Sequence, residues 1–380
     1  MYTSPETTRP MPSPGTNNLH FRMLKHEYSY SAGRKSSAYV NNGNRMMQGS
    51  EAEILLGLLP VYGNKLECIG LSLCNDINKG TDDRNNLLLP KLKLAYQLLQ
   101  EGGILFAIAD ARQYTHLKSA IEQFFGKERR VADFTNYQYN SEAAIIQHLL
   151  IFYKGEMEES SKDRLTDCFS GKRFRNMLPA GLIQHCMYIA CSKNAILLNA
   201  ITGFDTMAAP VLQLNNLDKG NRKFLLLYPN NATDDYTAGQ LMLALETDFD
   251  CYSPGETLFT GELSRQLNTR LPVKQLREYI WYTETGTGFI DNFFSPEDPY
   301  LLGIRDGIAI YLMYEYDDAT LLDQDFLSTM QTDAGQHIIY AHQCSLSAEC
   351  LQSRQIRFKQ IPEDISRNID PVNFRTRLKT

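Results

Sequence analysis

Long apolar runs are missing: none reaches the roughly 18 residues that a membrane-crossing helix needs. The first residues, MYTSPETTRPMPSPGTNN, contain no apolar stretch of the kind a secretory leader carries, so a cytoplasmic location is the expectation. No two of the eight cysteines (Cys68, Cys74, Cys168, Cys186, Cys191, Cys251, Cys344 and Cys350) form a Cys-x-x-Cys pair, which removes the common zinc and dithiol frameworks. His337, His342, Cys344 and Cys350 lie close together in the chain but fit no standard metal spacing, and no metal site is expected. Basic excess is missing as well. The net charge is -6, whereas a protein that grips DNA alone usually presents a basic face to the phosphates. The short basic clusters, Lys127-Glu128-Arg129-Arg130, Lys172-Arg173-Phe174-Arg175 and the tail Arg375, Arg377, Lys379, read as solvated faces.

What is present is an ordinary apolar complement, 43% of 380 residues, ample for one large domain with an appendage or for two domains. Residues 1–49 are rich in Pro, Ser, Asn, Gly and Arg and read as an arm, disordered or ordered by a partner. From Ser50 the pattern changes. Ala52 to Leu59 is helical, Lys65 to Leu73 is a buried strand, Pro90 to Gln100 is a helix stopped by Gly102-Gly103, and Ile104 to Ala109 is a central strand. His116 to Phe125 is an amphipathic helix, and Ile145 to Tyr153 fits strand or helix by pattern alone. Ala195 to Ile201 and Lys223 to Tyr228 are strands flanking a helix, Ala208 to Leu214. Strands alternating with helices at this spacing predict an α/β doubly wound sheet over 50–250. A second alternating block, 251–380, with strands at Gly307 to Glu315, His337 to Gln343 and Ile356 to Ile361, predicts a small C-terminal α/β domain.

Five segments resemble one family, in its order. They are Leu58-Leu59-Pro60-Val61-Tyr62-Gly63 with Lys65 to Ile69, Leu89-Pro90 through Phe106, and Phe124-Phe125-Gly126-Lys127-Glu128. Next come Val211 to Asn215 with Gly220-Asn221-Arg222-Lys223-Phe224, and last Tyr282 to Gly286 with Phe358 to Ile365. These resemble the modification subunit of type III restriction-modification systems, a β-class DNA adenine-N6 methyltransferase. The resemblance implies a Rossmann-like methyltransferase sheet, S-adenosylmethionine as cofactor, and a target base flipped out of the duplex.

Both functional loops of that family are degraded here. The loop that binds the adenine amino group through an acid, two prolines and an aromatic falls on Ser72, Leu73, Cys74 and Asn75, with Asp76 one place off the aromatic position. The glycine-rich cofactor turn falls on Asn199 to Met207, where Gly203 and Thr206 persist but Phe204 and Asp205 replace small residues. The segment between Lys154 and Leu178, where the family carries its base-reading region, is too short for an independent domain. Asp298-Pro299-Tyr300 resembles the catalytic motif superficially and reads as a turn. The expectation is therefore a non-catalytic subunit that binds no cofactor and meets DNA only through a complex, its partner a catalytic methyltransferase or a restriction subunit. Two alternatives stand beside it: an active DNA adenine-N6 methyltransferase with a non-standard site, using S-adenosylmethionine, and an anti-restriction decoy that sequesters a nuclease.

Overall fold

Ten strands form one sheet in the order β2-β1-β10-β3-β9-β8-β4-β5-β7-β6 in the computed structural model. The structure describes residues 21–31, 34–72, 81–111, 113–140, 143–170, 179–200, 208–228, 247–260, 266–290, 298–332 and 334–366. The strands are β1 (Arg22–Ser31), β2 (Arg34–Ser36), β3 (Arg45–Gln48), β4 (Leu66–Ser72), β5 (Leu99–Asp110), β6 (Arg130–Asn140), β7 (Ala143–Tyr153), β8 (Ile196–Ala200), β9 (Lys223–Tyr228) and β10 (Phe249–Thr257). The six central strands β10, β3, β9, β8, β4 and β5 run parallel, while β1, β2, β6 and β7 add antiparallel margins.

Parallel strands covered on both faces must be apolar throughout, which is why Cys68-Ile69, Leu197-Leu198 and Phe224-Leu225 are continuous apolar runs. Their side chains divide between two layers. Ile69, Leu105, Leu198 and Leu225 face α1 (Glu51–Tyr62), α2 (Thr81–Leu98) and α3 (Tyr114–Phe125). Cys68, Phe106, Leu197 and Phe224 face α4 (Glu159–Ser170), α5 (Pro179–Ala190) and α6 (Ala208–Asp218). α3 shows the amphipathic logic plainly: Leu117, Ala120, Ile121 and Phe125 form its buried stripe, and Gly126, at φ +89°, ends it where a side chain would be strained. Ile145 to Tyr153, ambiguous in sequence, is a strand because β5 and β6 pair with it on both sides.

Two sequence boundaries are corrected. Within the expected arm 1–49, β1, β2 and β3 are strands of the main sheet. Residues 1–20 lie outside the described residues. The domain boundary at 250/251 cuts β10, whose Phe249 and Cys251 are buried between β1 and β3. The polar segment around β1 becomes ordered because Asp250, itself buried, accepts hydrogen bonds from Ser29 Oγ (2.5 Å), Val40 N (2.8 Å) and Asn41 N (3.1 Å).

The C-terminal block holds a second sheet, β13 (Leu301–Arg305), β14 (Ile308–Leu312), β16 (Gln336–Ala341) and β18 (Ile356–Gln360), with β14, β16 and β18 parallel. Two-stranded pairs β11 (Phe259–Thr260) with β12 (Gln266–Leu267), and β15 (Leu321–Leu322) with β17 (Gln343–Cys344), complete the strands. Helix α7 (Val273–Thr285) joins this block to the core by packing on α1. Gly286 caps it in the left-handed region, and the chain then runs against the end of α1: Gly288 N donates to Gly63 O (2.7 Å) and Phe289 N to Pro60 O (2.8 Å). A Cβ on Gly288 would sit 2.1 Å from Val61 O, backbone that cannot swing away. Gly288→Ala is therefore expected to cost roughly 3 kcal/mol in urea denaturation; an unchanged midpoint would show that this joint is looser than its geometry.

Candidate functional site at the carboxyl ends of the strands

In a doubly wound sheet, ligands enter outside the carboxyl ends of the strands, at the point where the strand order reverses. From β4 the chain passes through α2 to β5 on one side, and from β8 it passes through α6 to β9 on the other. The reversal lies between β4 and β8, which are neighbours with Leu71 opposite Ala200.

β4 ends at Ser72 and β8 at Ala200. The two degenerate loops found in sequence follow directly from these ends. Ser72 is the last residue of β4, its backbone opposite Ile108 of β5. Leu73, Cys74, Asn75 and Asp76 lie outside the described residues, as do Gly203, Phe204, Asp205 and Thr206. Asn199, the first residue of the expected cofactor turn, is buried near the end of β8. Topology thus brings the starts of both loops side by side, which the sequence spacing of more than a hundred residues does not reveal.

Around this end the described polar groups hold one another. Glu51, in the first turn of α1, accepts from Lys91 Nζ of α2 at 2.6 Å. At the carboxyl end of β5, Tyr114 Oη donates to Asp133 (2.5 Å) and Lys118 Nζ donates to the same carboxylate (2.8 Å). Burial would raise the Asp133 carboxyl, but the hydrogen bonds from Lys118 and Tyr114 outweigh it and hold it below the ordinary carboxylate range. Lys118 is raised by the same bonds. The Tyr114 ring also stacks on His148 of β7, centres 4.0 Å apart. Sequence reading missed this group; the helical i, i+4 spacing of Tyr114 and Lys118 was its one local signal. Glu51 and Asp133 are thus each held by a lysine.

The other motifs resolve into structure. Asp298-Pro299-Tyr300 is a turn whose Asp298 is buried and accepts from Tyr311 Oη (2.9 Å); burial pushes its carboxyl up. The basic cluster at 127–130 is tied down: Arg129 donates to Gly155 O (2.7 Å) and Phe125 O (2.9 Å), and Arg130 pairs with Glu122 (3.0 Å). Lys172 to Arg175 and the basic tail lie outside the described residues. The family-like segments Tyr282 to Gly286 and Phe358 to Ile365 meet each other, with Glu284 accepting from Lys359 Nζ and from Tyr340 Oη (2.5 Å).

No protein-family model matches the chain, and no curated protein matches it. Among solved structures it is similar to a protein assigned as a DNA modification methylase from Thermus thermophilus. The identity is 12% and the TM-score 0.39, over 55% of this chain and 99% of that one. It is also similar to the cytosine-N4-specific PvuII DNA methyltransferase, at 11% identity and TM-score 0.35, over 53% of this chain and 92% of that one. Scores this low carry no functional argument.

Proposed function

We propose that this chain is a non-catalytic, methyltransferase-like subunit of a DNA modification or restriction complex, acting as a partner or docking platform for an active enzyme. One observation carries the reading. The strand-order reversal, where this fold takes its ligands, coincides with the starts of the two loops whose chemistry the sequence lacks.

Amino methylation needs an acceptor for the adenine amino group and a surface to stack the flipped base. Ser72-Leu73-Cys74-Asn75 offers no carboxylate and no aromatic ring. S-adenosylmethionine needs close backbone approach at its turn, which glycine permits; Phe204 and Asp205 bring side chains there, and Asn199 just before them is already enclosed. The residues present do not fit that cofactor, and no catalytic step is derived through it. The scaffold around these loops is intact, which supports an architectural role.

Calorimetry with S-adenosylmethionine, with and without duplex DNA, tests the reading. The expected result is no binding up to about 1 mM, the level of roughly -4 kcal/mol, and no methyl transfer to DNA. Micromolar binding with transfer that vanishes in Asp76→Ala would instead establish the active enzyme with a non-standard site. Co-purification with a helicase-nuclease but no methyltransferase would favour the decoy.

A further inference from the structure

On the opposite flank of the main sheet, a row of rings runs from solvent inward to an arginine. Tyr39 is 57% exposed, and its ring stacks on His26 with centres 3.9 Å apart and planes 24° from parallel. His26 meets Tyr252 edge to face at 5.5 Å. The Arg45 guanidinium lies 4.9 Å from the centre of Tyr252 and 5.3 Å from that of Tyr62.

Arg45 differs from three other arginines of the main domain. Arg129, Arg130 and Arg222 each reach a carboxylate or a carbonyl. Arg45 has no carboxylate within 4 Å among the described residues, and its buried Nε, like those of Arg22 and Arg222, has no hydrogen-bond partner. A guanidinium held between two rings without an anion keeps its fork of donors for a ligand.

The platform is also rigid where it matters. Asp250 holds the amides of Val40 and Asn41, the two residues after Tyr39, and so fixes the strap that presents the ring. That carboxylate is engaged by three donors, Ser29 included, and the neighbouring Glu27 is taken up by Lys25 and Ser253. On the outer edge β2 adds Arg34 and Lys35, both exposed.

We propose that this flank is a binding surface for single-stranded nucleic acid, with a base stacked on the outer face of Tyr39 and a backbone phosphate taken by Arg45. Exposed aromatic faces next to cations are the recurrent means of holding single strands without reading sequence, because every base offers a ring and every nucleotide a phosphate. The surface is built on β1, β10 and β3, outside the β8–β4 reversal, and its assignment does not depend on whether the loops there bind a cofactor.

Fluorescence anisotropy on the full chain at about 50 mM salt tests it, with fluorescein-labelled oligothymidylate, oligouridylate and a duplex of equal length. The wild type is expected to bind a single strand more tightly than the duplex; the two oligomers distinguish DNA from RNA. Tyr39→Ala is expected to weaken that binding about fivefold or more, while Tyr39→Phe retains it and Arg45→Lys weakens it by losing the planar fork. Tyr39 is exposed, so the alanine variant should keep the wild-type melting midpoint. Absence of single-strand binding by the wild type, preference for the duplex, or an unchanged affinity in Tyr39→Ala would overturn the proposal.

Discussion

Glu284→Ala is expected to destabilise the protein by about 3–5 kcal/mol, the range for removing one partner of a buried ion pair. The Glu284 side chain is 8% exposed and that of Lys359 15%. One carboxylate answers two donors, Lys359 Nζ and Tyr340 Oη, which are themselves 3.2 Å apart. Without it the enclosed ammonium keeps only the Tyr340 phenol oxygen as an acceptor at 3.2 Å, and the phenol hydroxyl loses its own acceptor. Burial first, and then the Glu284 charge, push the Tyr340 phenol well above its ordinary value. Glu284→Gln keeps an acceptor and should lose less. Because Glu284 belongs to α7, which packs on α1, while Tyr340 and Lys359 belong to the C-terminal sheet, the variant should also loosen that sheet from the core. Urea denaturation gives the measurement; a loss under about 1 kcal/mol, the level of an exposed pair, would refute the assignment of this cluster as the joint.

The second large effect concerns pH. Lys154 and Lys65 lie toward the amino ends of the central strands. Burial pulls each ammonium down to about 8. Lys154 Nζ is enclosed, with its side chain 8% exposed, and donates to Leu99 O (2.6 Å) and Asn64 Oδ1 (3.0 Å). Lys65 Nζ donates to Phe289 O (2.8 Å). Between pH about 8 and about 10.5 the unfolded chain holds a proton on each lysine that the folded chain has released, so stability rises with pH across that window. For Lys154 the full rise is of order 3 kcal/mol; for the more open Lys65 solvent screening makes it smaller. Above pH about 10 the trend reverses. Burial raises the phenols of Tyr252, to about 12, and of Tyr279 and Tyr282, so their unfolded forms ionise first. Denaturation curves at pH 7.5, 9 and 10.5 should therefore show a maximum on the alkaline side, flattened in Lys154→Met. A wild-type stability that does not change from pH 7.5 to 9 would contradict the burial of these amines.

The central strands and the long helices were legible because their apolar character is continuous or periodic over single stretches of chain, as in Lys223–Tyr228 and the Leu117/Ile121/Phe125 stripe. β1 was not. Its segment, RMLKHEYSYS, alternates imperfectly and is rich in polar groups, and its partners, Asp250 and the rest of β10, stand more than two hundred residues away. At the candidate site the position of both loops could be read from family-like residues, but their adjacency could not, since only pairing of β4 with β8 creates it. The Tyr39–His26–Tyr252–Arg45 array was invisible for the same reason: its four members come from three strands and a loop, joined by no local period.

The place of β10 in the sheet has a consequence for how the molecule is made. This strand, Phe249–Thr257, lies between β1 and β3, although it follows both of them in the chain by about two hundred residues. During synthesis β1 and β2 have no sheet to join until that late strand arrives, and the apolar flank of β3 stays uncovered for as long. A nascent chain halted before Phe249 would carry an open sheet margin, and a cell making this protein must shield that margin, or finish the chain quickly, to avoid pairing it with a stranger.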